Sequence, residues 1–281
     1  MLQSLLLVAT SFVALANAQS TNNTAVGIEA IEAHFTQAGL VPDLLTTFDP
    51  SAIMAVSFDG VGSITPGQGL TQDQVKPTPS VSITPANSSV SLGSNFTLVM
   101  VDADIVGTDE TAGQTRHWLV NGVSLSGSGS NETVSTSSGT AITEYAGPAP
   151  ASGSGPHRYV ILLYTQPSTF TAPSDLSTPN VGVAKFSLSD YVKSTGLEGP
   201  VAGIYLTVEV GTATVTPSST SAVETSTLPV PSTTASGSGT ASGSGSSPSS
   251  TSKSGAVNIG TEKMNKGFFG LFSLALAFSL F

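Results

Sequence analysis

The chain has 281 residues, with 8 Lys or Arg against 18 Asp or Glu, a formal net charge of −10. So acidic a chain lacks the basic surface that phosphate contacts need, which excludes nucleic acid as an expected partner. It has no cysteine, so an exported domain would have to be held by its core rather than by disulfides.

Residues 1–18 (MLQSLLLVATSFVALANA) carry an apolar stretch that ends in the small-x-small run Ala16-Asn17-Ala18. This predicts a secretory signal peptide removed before Gln19. Next, AVGIEAIEAHFTQA (25–38) has helical spacing, with Ile28, Ile31 and Phe35 on one stripe, and Gly39 and Pro42 end it. His34 borders that stripe as a helix-surface residue. From residue 53 the pattern becomes that of strands: 53–58, 80–84, 96–102, 117–123, 157–164 and 201–210 are short and rich in Val, Ile, Leu and Tyr. Gly, Pro, Asn and Ser clusters separate them. Ser187-Leu188-Ser189-Asp190 starts one short helix over 187–194. The Ser/Gly-rich stretch 124–139 reads as a surface loop. The fold class is therefore all-β: an antiparallel core with peripheral helices, as two packed sheets or a barrel.

The domain is expected over 19–211. Residues 212–254 are dominated by Ser, Thr, Gly and Pro and read as a disordered, O-glycosylated stalk. Residues 255–281 complete a GPI-attachment signal: small residues at 254–256, a polar spacer, and the apolar tail GFFGLFSLALAFSLF. Ser254 is the expected attachment residue. Sequons at Asn22, Asn87, Asn95 and Asn131 predict N-glycosylation. The expected location is the outer face of the plasma membrane or the cell wall.

Strand parity places the polar side chains. In 96–102, Phe96, Leu98, Met100 and Asp102 share a face, so Asp102 ends an apolar row. In HRYVILLY, His157, Tyr159, Ile161 and Leu163 share a face, and Arg158 points the other way. His117 opens a third apolar run. Titratable groups at three strand ends, in line with apolar residues, suggest a pocket at a sheet edge.

The same residues carry a family resemblance. VPDLLTTFDPSAIMAVSF, GLTQDQVKPTPSVSI, VMVDADIVG, RHWLVN and above all YAGPAPASGSGPHRYVILLYTQP resemble segments of the phosphatidylethanolamine-binding protein family, which includes Raf kinase inhibitor and carboxypeptidase Y inhibitor proteins. The resemblance spans roughly residues 38–210. It implies a large antiparallel sheet packed on a smaller one, and a pocket for a small anion such as phosphate or a phosphoethanolamine headgroup. By position it assigns Asp102, His117, Gly147, His157 and Tyr159 to that pocket. The family's Asp-Pro-Asp-Ala-Pro stands here as Asp102-Ala103-Asp104-Ile105-Val106, without either proline. Ala149 replaces a pocket glycine, and Ala151 a proline.

A non-catalytic cell-surface binding protein for a small anion or phospholipid headgroup is the expected function. An inhibitor of an exported protease such as a serine carboxypeptidase is the alternative. No cofactor is expected. The chain has no G-x-S-x-G elbow, P-loop or H-E-x-x-H. A metal site from Asp102, His117 and His157 lacks tight ligand spacing, and no motif singles out one serine as a nucleophile.

Overall fold

The computed structural model describes residues 24–127, 131–215 and Val223. The expected signal peptide, Asn22, nearly all of the Ser/Thr-rich segment, Ser254 and the apolar tail lie outside these residues. Helix α1 covers 24–37, and a short turn α2 covers Leu40–Asp43. Eleven strands follow: β1 Ala52–Phe58, β2 Gly62–Ser63, β3 Gln68–Leu70, β4 Ser80–Pro85, β5 Phe96–Asp102, β6 Gln114–Ser126, β7 Glu132–Ser135, β8 Thr140–Thr143, β9 His157–Thr165, β10 Ala184–Phe186 and β11 Pro200–Val208. Helix α3, Leu188–Thr195, lies between β10 and β11. Its start is the one the sequence signals: the Ser187 hydroxyl accepts from the Asp190 amide at 3.1 Å.

All six strands expected from composition are present. The five others (β2, β3, β7, β8 and β10) are two to four residues long. They have no apolar alternation to reveal them and exist because longer strands offer free edges. One expectation is corrected here. The 124–139 stretch is not simply a loop: Ser124, Leu125 and Ser126 of β6 pair with Ser135, Val134 and Thr133 of β7.

The strands run β2-β1-β4-β7-β6-β5-β9-β11-β3, with β8 and β10 also on β6. Strand β6 serves two sheets, the large one through residues 114–123 and the small one through 124–126. The strand bends between them at a bulge. Phe96 faces Val123 and Thr97 faces Asn121, leaving Gly122 unpaired. Gly122 has φ 75°, a conformation costly for any side chain, and its amide donates to Gln166 Oε1 at 3.0 Å.

Alternation along β9 shows how the layers form. Tyr159, Ile161 and Leu163 face the small sheet with Met54, Val56 and Phe58 of β1 and Val81 and Ile83 of β4. Val160, Leu162 and Tyr164 face the opposite way, towards Ile31 and Phe35 of α1 and Leu188 and Tyr191 of α3. Every residue of β5 from Phe96 to Val101 is buried because both faces of this central strand are covered. Phe35 anchors α1. It is fully buried, stacked on Phe48 at 4.0 Å and edge-on to Tyr205 at 5.8 Å.

Replacing Phe35 with Ala should lower the unfolding free energy by about 3–5 kcal/mol, measured as a shift in the urea midpoint with an unchanged slope.

Candidate functional site

In the antiparallel pair β5–β9, the last residue of β5 lies beside the first residues of β9. Asp102 is the direct cross-strand neighbour of Tyr159. The period-2 reading puts His157 and Tyr159 on one face of their strand and Asp102 at the end of an apolar row of another, and the β5–β9 register brings the three together. His157 Nδ1 lies 3.1 Å and 3.0 Å from the two Asp102 oxygens. Asp102 also accepts from the Asp104 amide at 2.8 Å and from the Tyr159 hydroxyl. Burial, together with the Asp102 charge, pushes the Tyr159 hydroxyl well above its ordinary pKa, so it remains a donor.

The other face of the His157 ring system is equally committed. Nε2 lies 2.8 Å from Ser154 Oγ and 3.5 Å from Asp104 Oδ1. Ser154 Oγ in turn donates to the Ala151 carbonyl at 2.7 Å. A hydroxyl has one proton, so with that bond made Nε2 must be the donor to Oγ. Nδ1, facing a carboxylate, is also a donor. The network therefore describes an imidazolium. In keeping with this, the hydrogen bond to Asp102 raises the pKa of His157 against the opposing effect of burial, with the Asp102 and Asp104 charges adding to it.

His117 enters by a route that strict alternation does not give. Trp118 and Val120 face the inter-sheet core, and Leu119 faces the helices. Simple parity would put His117 with Leu119. Instead β6 bulges: Met100 faces Trp118 and Val101 faces Arg116, leaving His117 as the extra residue. The bulge turns the His117 ring onto Tyr159, edge-on at 5.2 Å. Its carbonyl accepts from the Ala146 amide at 2.9 Å, and its Nδ1 meets the Ala146 carbonyl at 2.9 Å. A carbonyl only accepts, so Nδ1 carries the proton and Nε2 is left for other partners.

Gly147 follows directly. A Cβ there would lie 2.7 Å from the Val75 carbonyl oxygen, so this position lets the 144–150 loop close on the Val75–Lys76 backbone. Tyr145 reinforces that approach by donating to Val75 O at 2.7 Å. The glycine shapes the wall that carries Ala146 and Ala149, whose amide reaches the Tyr159 hydroxyl.

The loop after Asp102 keeps its shape without prolines. Arg158, 1% exposed, sends its guanidinium to the carbonyls of Ala38, Ala103, Asp104 and Ile105. Backbone bonds from Ala103 to Arg158 and from Arg158 to Asp104, each 2.8 Å, tie the same segment to β9. Asp104 holds φ 50° at the turn, where its carboxylate accepts from the Ile105 amide at 2.7 Å. Beside this clamp, Glu110 Oε2 accepts from Gln114 at 2.9 Å, while Oε1 sits 3.6 Å from Arg158 without a hydrogen bond. Burial raises the Glu110 pKa, and Asp104 and Asp102 add to that.

Sequence reasoning missed Ser154, Asp104, Arg158 and Glu110 as parts of this cluster. For Ser154 one signal was available: a hydroxyl in a Gly-Ser-Gly turn, three residues before a strand-opening histidine. Arg158 was assigned to the opposite face, and it lies there, acting from behind the pocket. His34 is not part of the cluster. It lies on α1, and partial burial lowers its pKa. Among the described residues no three His, Asp or Glu side chains form a group able to hold a metal ion. Asn87, Asn95 and Asn131 are all exposed.

A two-sheet antiparallel β fold with an Asp/His/Tyr cluster where β5, β6 and β9 run side by side defines the class of domain. The family pattern described as phosphatidylethanolamine-binding protein matches residues 59–205, and the chain belongs to that family. It is 31% identical over 183 residues to the carboxypeptidase Y inhibitor of Saccharomyces cerevisiae, covering 53% of this chain and 84% of the relative. It is 29% identical over 177 residues to CEN-like protein 1 of Nicotiana tabacum, covering 63% and 91%. Among solved structures, a carboxypeptidase Y inhibitor complexed with its cognate proteinase superposes with a TM-score of 0.54 at 26% identity, covering 65% of this chain and 96% of that one.

Two tests follow from this geometry. Arg158→Lys cannot reproduce four carbonyl contacts, and the orphaned carbonyls should cost about 3 kcal/mol or more in urea unfolding. The His157 pKa lies above its ordinary 6.5. Its stabilising contribution is therefore complete below that value and is lost as pH rises through the folded-state pKa. Asp102→Asn should lower the His157 pKa, read from its ring proton shifts, and flatten that part of the stability–pH curve.

Proposed function

We propose that this protein is a binding protein that holds a small anion or a phosphate-bearing headgroup at the Asp102–His117–His157–Tyr159 cluster, without turnover as its primary role. One observation carries the reading: groups from three strands and one glycine-rich loop converge with their donors already oriented. The His157 imidazolium supplies positive charge, and His117 Nε2 is left unclaimed by the contact that fixes Nδ1. Asp102 and Asp104 would repel a bare anion. The site therefore favours a ligand that brings its own proton or cation, such as monohydrogen phosphate or the zwitterionic phosphoethanolamine. Titrating phosphate and phosphoethanolamine while following the ring resonances of His117 and His157 tests this. Both rings should shift at millimolar ligand; unmoved resonances would sink the reading.

A second reading, inhibition of an exported protease, is favoured by the likeness to a carboxypeptidase Y inhibitor in sequence and in a proteinase-bound structure. It predicts dose-dependent loss of serine carboxypeptidase activity with added protein. Export, a GPI anchor at Ser254 and glycans at Asn22, Asn87, Asn95 and Asn131 belong to the same proposal. Release from cells by a phosphatidylinositol-specific phospholipase would support the anchor.

A further inference from the structure

The Asp102–His157–Ser154 arrangement has a chemical meaning beyond binding. One ring nitrogen of His157 faces a carboxylate that is itself held by two donors, and the other lies 2.8 Å from a serine hydroxyl. A nucleophile, a base and an orienting carboxylate in this order make up the constellation of hydrolytic and acyl-transfer sites, which is recognised by geometry rather than by fold. The setting of Ser154 adds a second observation. It stands between Gly153 at φ 81° and Gly155 at φ 93°, on a turn that only glycine accommodates comfortably at both flanks. Gly155 is buried, yet among the described residues its amide donates to no acceptor. That amide belongs to the residue directly after the serine, and an unpaired N–H there is the kind of donor an oxyanion needs. Val215 and Ile105 both border the space a Gly155 side chain would enter, at 3.1 Å and 3.3 Å from a Cβ placed there, and supply apolar surface.

We propose that Ser154, His157 and Asp102 act as nucleophile, general base and orienting group for acyl transfer from small activated esters, with the Gly155 amide facing the developing oxyanion. The proposal uses the same pocket as the binding function and adds a reaction to it.

The proton arrangement decides when the reaction runs. With His157 doubly protonated, Nε2 donates to Ser154 Oγ, and the serine hydroxyl keeps its proton and donates it to the Ala151 carbonyl at 2.7 Å. Loss of the Nε2 proton makes that nitrogen an acceptor, and the hydroxyl turns its proton towards it. The groups that face His157 and set this equilibrium are Asp102, Asp104, Arg158, Tyr159 and Ser154 itself. In the first step Oγ bonds to the acyl carbon while its proton moves to Nε2. The tetrahedral oxyanion then collapses, the bond to the leaving alkoxide breaks, and that oxygen takes the proton from Nε2. Water then attacks the acyl carbon while its proton moves to Nε2; the bond from the acyl carbon to Ser154 Oγ breaks, Oγ takes the proton back from Nε2, and the carboxylic acid leaves.

An alkyl fluorophosphonate tests this on the full-length protein, since Oγ displaces fluoride and stays covalently marked. One addition is expected, mapped to Ser154 by peptide mass spectrometry, at a rate that rises with pH and then levels off as Nε2 loses its proton. Ser154→Ala should abolish it. His157→Gln should slow it at least about 100-fold, with circular dichroism confirming the fold. Ser152→Ala, the neighbouring exposed serine, should label like the parent protein. Labelling at another residue, no labelling at Ser154, or a rate that His157→Gln leaves unchanged would each overturn the proposal. If His157→Gln does not fold, a parent-protein rate that simply follows hydroxide concentration, with no plateau, overturns it equally. A phosphate titration on the same sample separates the two readings: ring shifts without labelling leave the binding pocket standing and remove the nucleophile.

Discussion

The buried guanidinium of Arg158 is the contact on which the pocket's geometry depends. One side chain gathers carbonyls from the end of α1 and from three consecutive loop residues after β5. A guanidinium is suited to this because its donors are fixed in a plane and its charge is delocalised. Burying that charge would be unfavourable in isolation. The carbonyl dipoles and the charges of Glu110, Asp43, Asp104 and Asp102 offset the cost, although burial remains the larger influence and lowers the Arg158 pKa. Because Arg158 directly follows His157, the clamp also fixes where the histidine enters the strand. The turn carrying Asp104 is thus held from behind while its carboxylate faces the ring in front. Loss of the two loop prolines removes backbone restriction, but the loop is still tied at every carbonyl from Ala103 to Ile105.

Electrostatics in front of the clamp follow from what lies behind it. Asp102 accepts from a ring N–H, a phenol and an amide, so it is fully occupied in orienting its neighbours. His157 is held between carboxylates and a hydroxyl, and its charged form is favoured for that reason. The cluster therefore contains both a fixed cation and excess negative charge. In the proposed reaction, departure of the Nε2 proton would turn the Ser154 hydroxyl from the Ala151 carbonyl to the ring.

Beyond 211, the chain does not leave the domain at once. Gly153 donates to the Val210 carbonyl at 2.8 Å, and the Thr214 amide and hydroxyl each reach the Gly153 carbonyl at 2.9 Å. Composition assigns 212–254 to the stalk, so its first residues run against the turn that carries Ser154. Sequence pattern alone had no means of showing this contact, since Thr and Val in a polar stretch carry no periodic signal and the bonds are to backbone atoms.

By itself the sequence determined the six long strands, the two helices with their capping signals, and the shared face of His157 and Tyr159 within β9. These are local: apolar period, cap residues and strand parity need only neighbours along the chain. The Gly-Ser-Gly-Pro-His-Arg-Tyr run pointed to His157 and Tyr159 through its family resemblance. Tertiary structure decided the rest. The bulge that turns His117 to the pocket exists only because β6 meets β5 in a shifted register. Ser154 reaches His157 only through the fold of a tight glycine turn. Arg158 finds its four carbonyls only once α1 and the loop after β5 have packed on the same face of β9. Each of these is a pairing of distant segments, whose register and approach no single stretch of sequence contains.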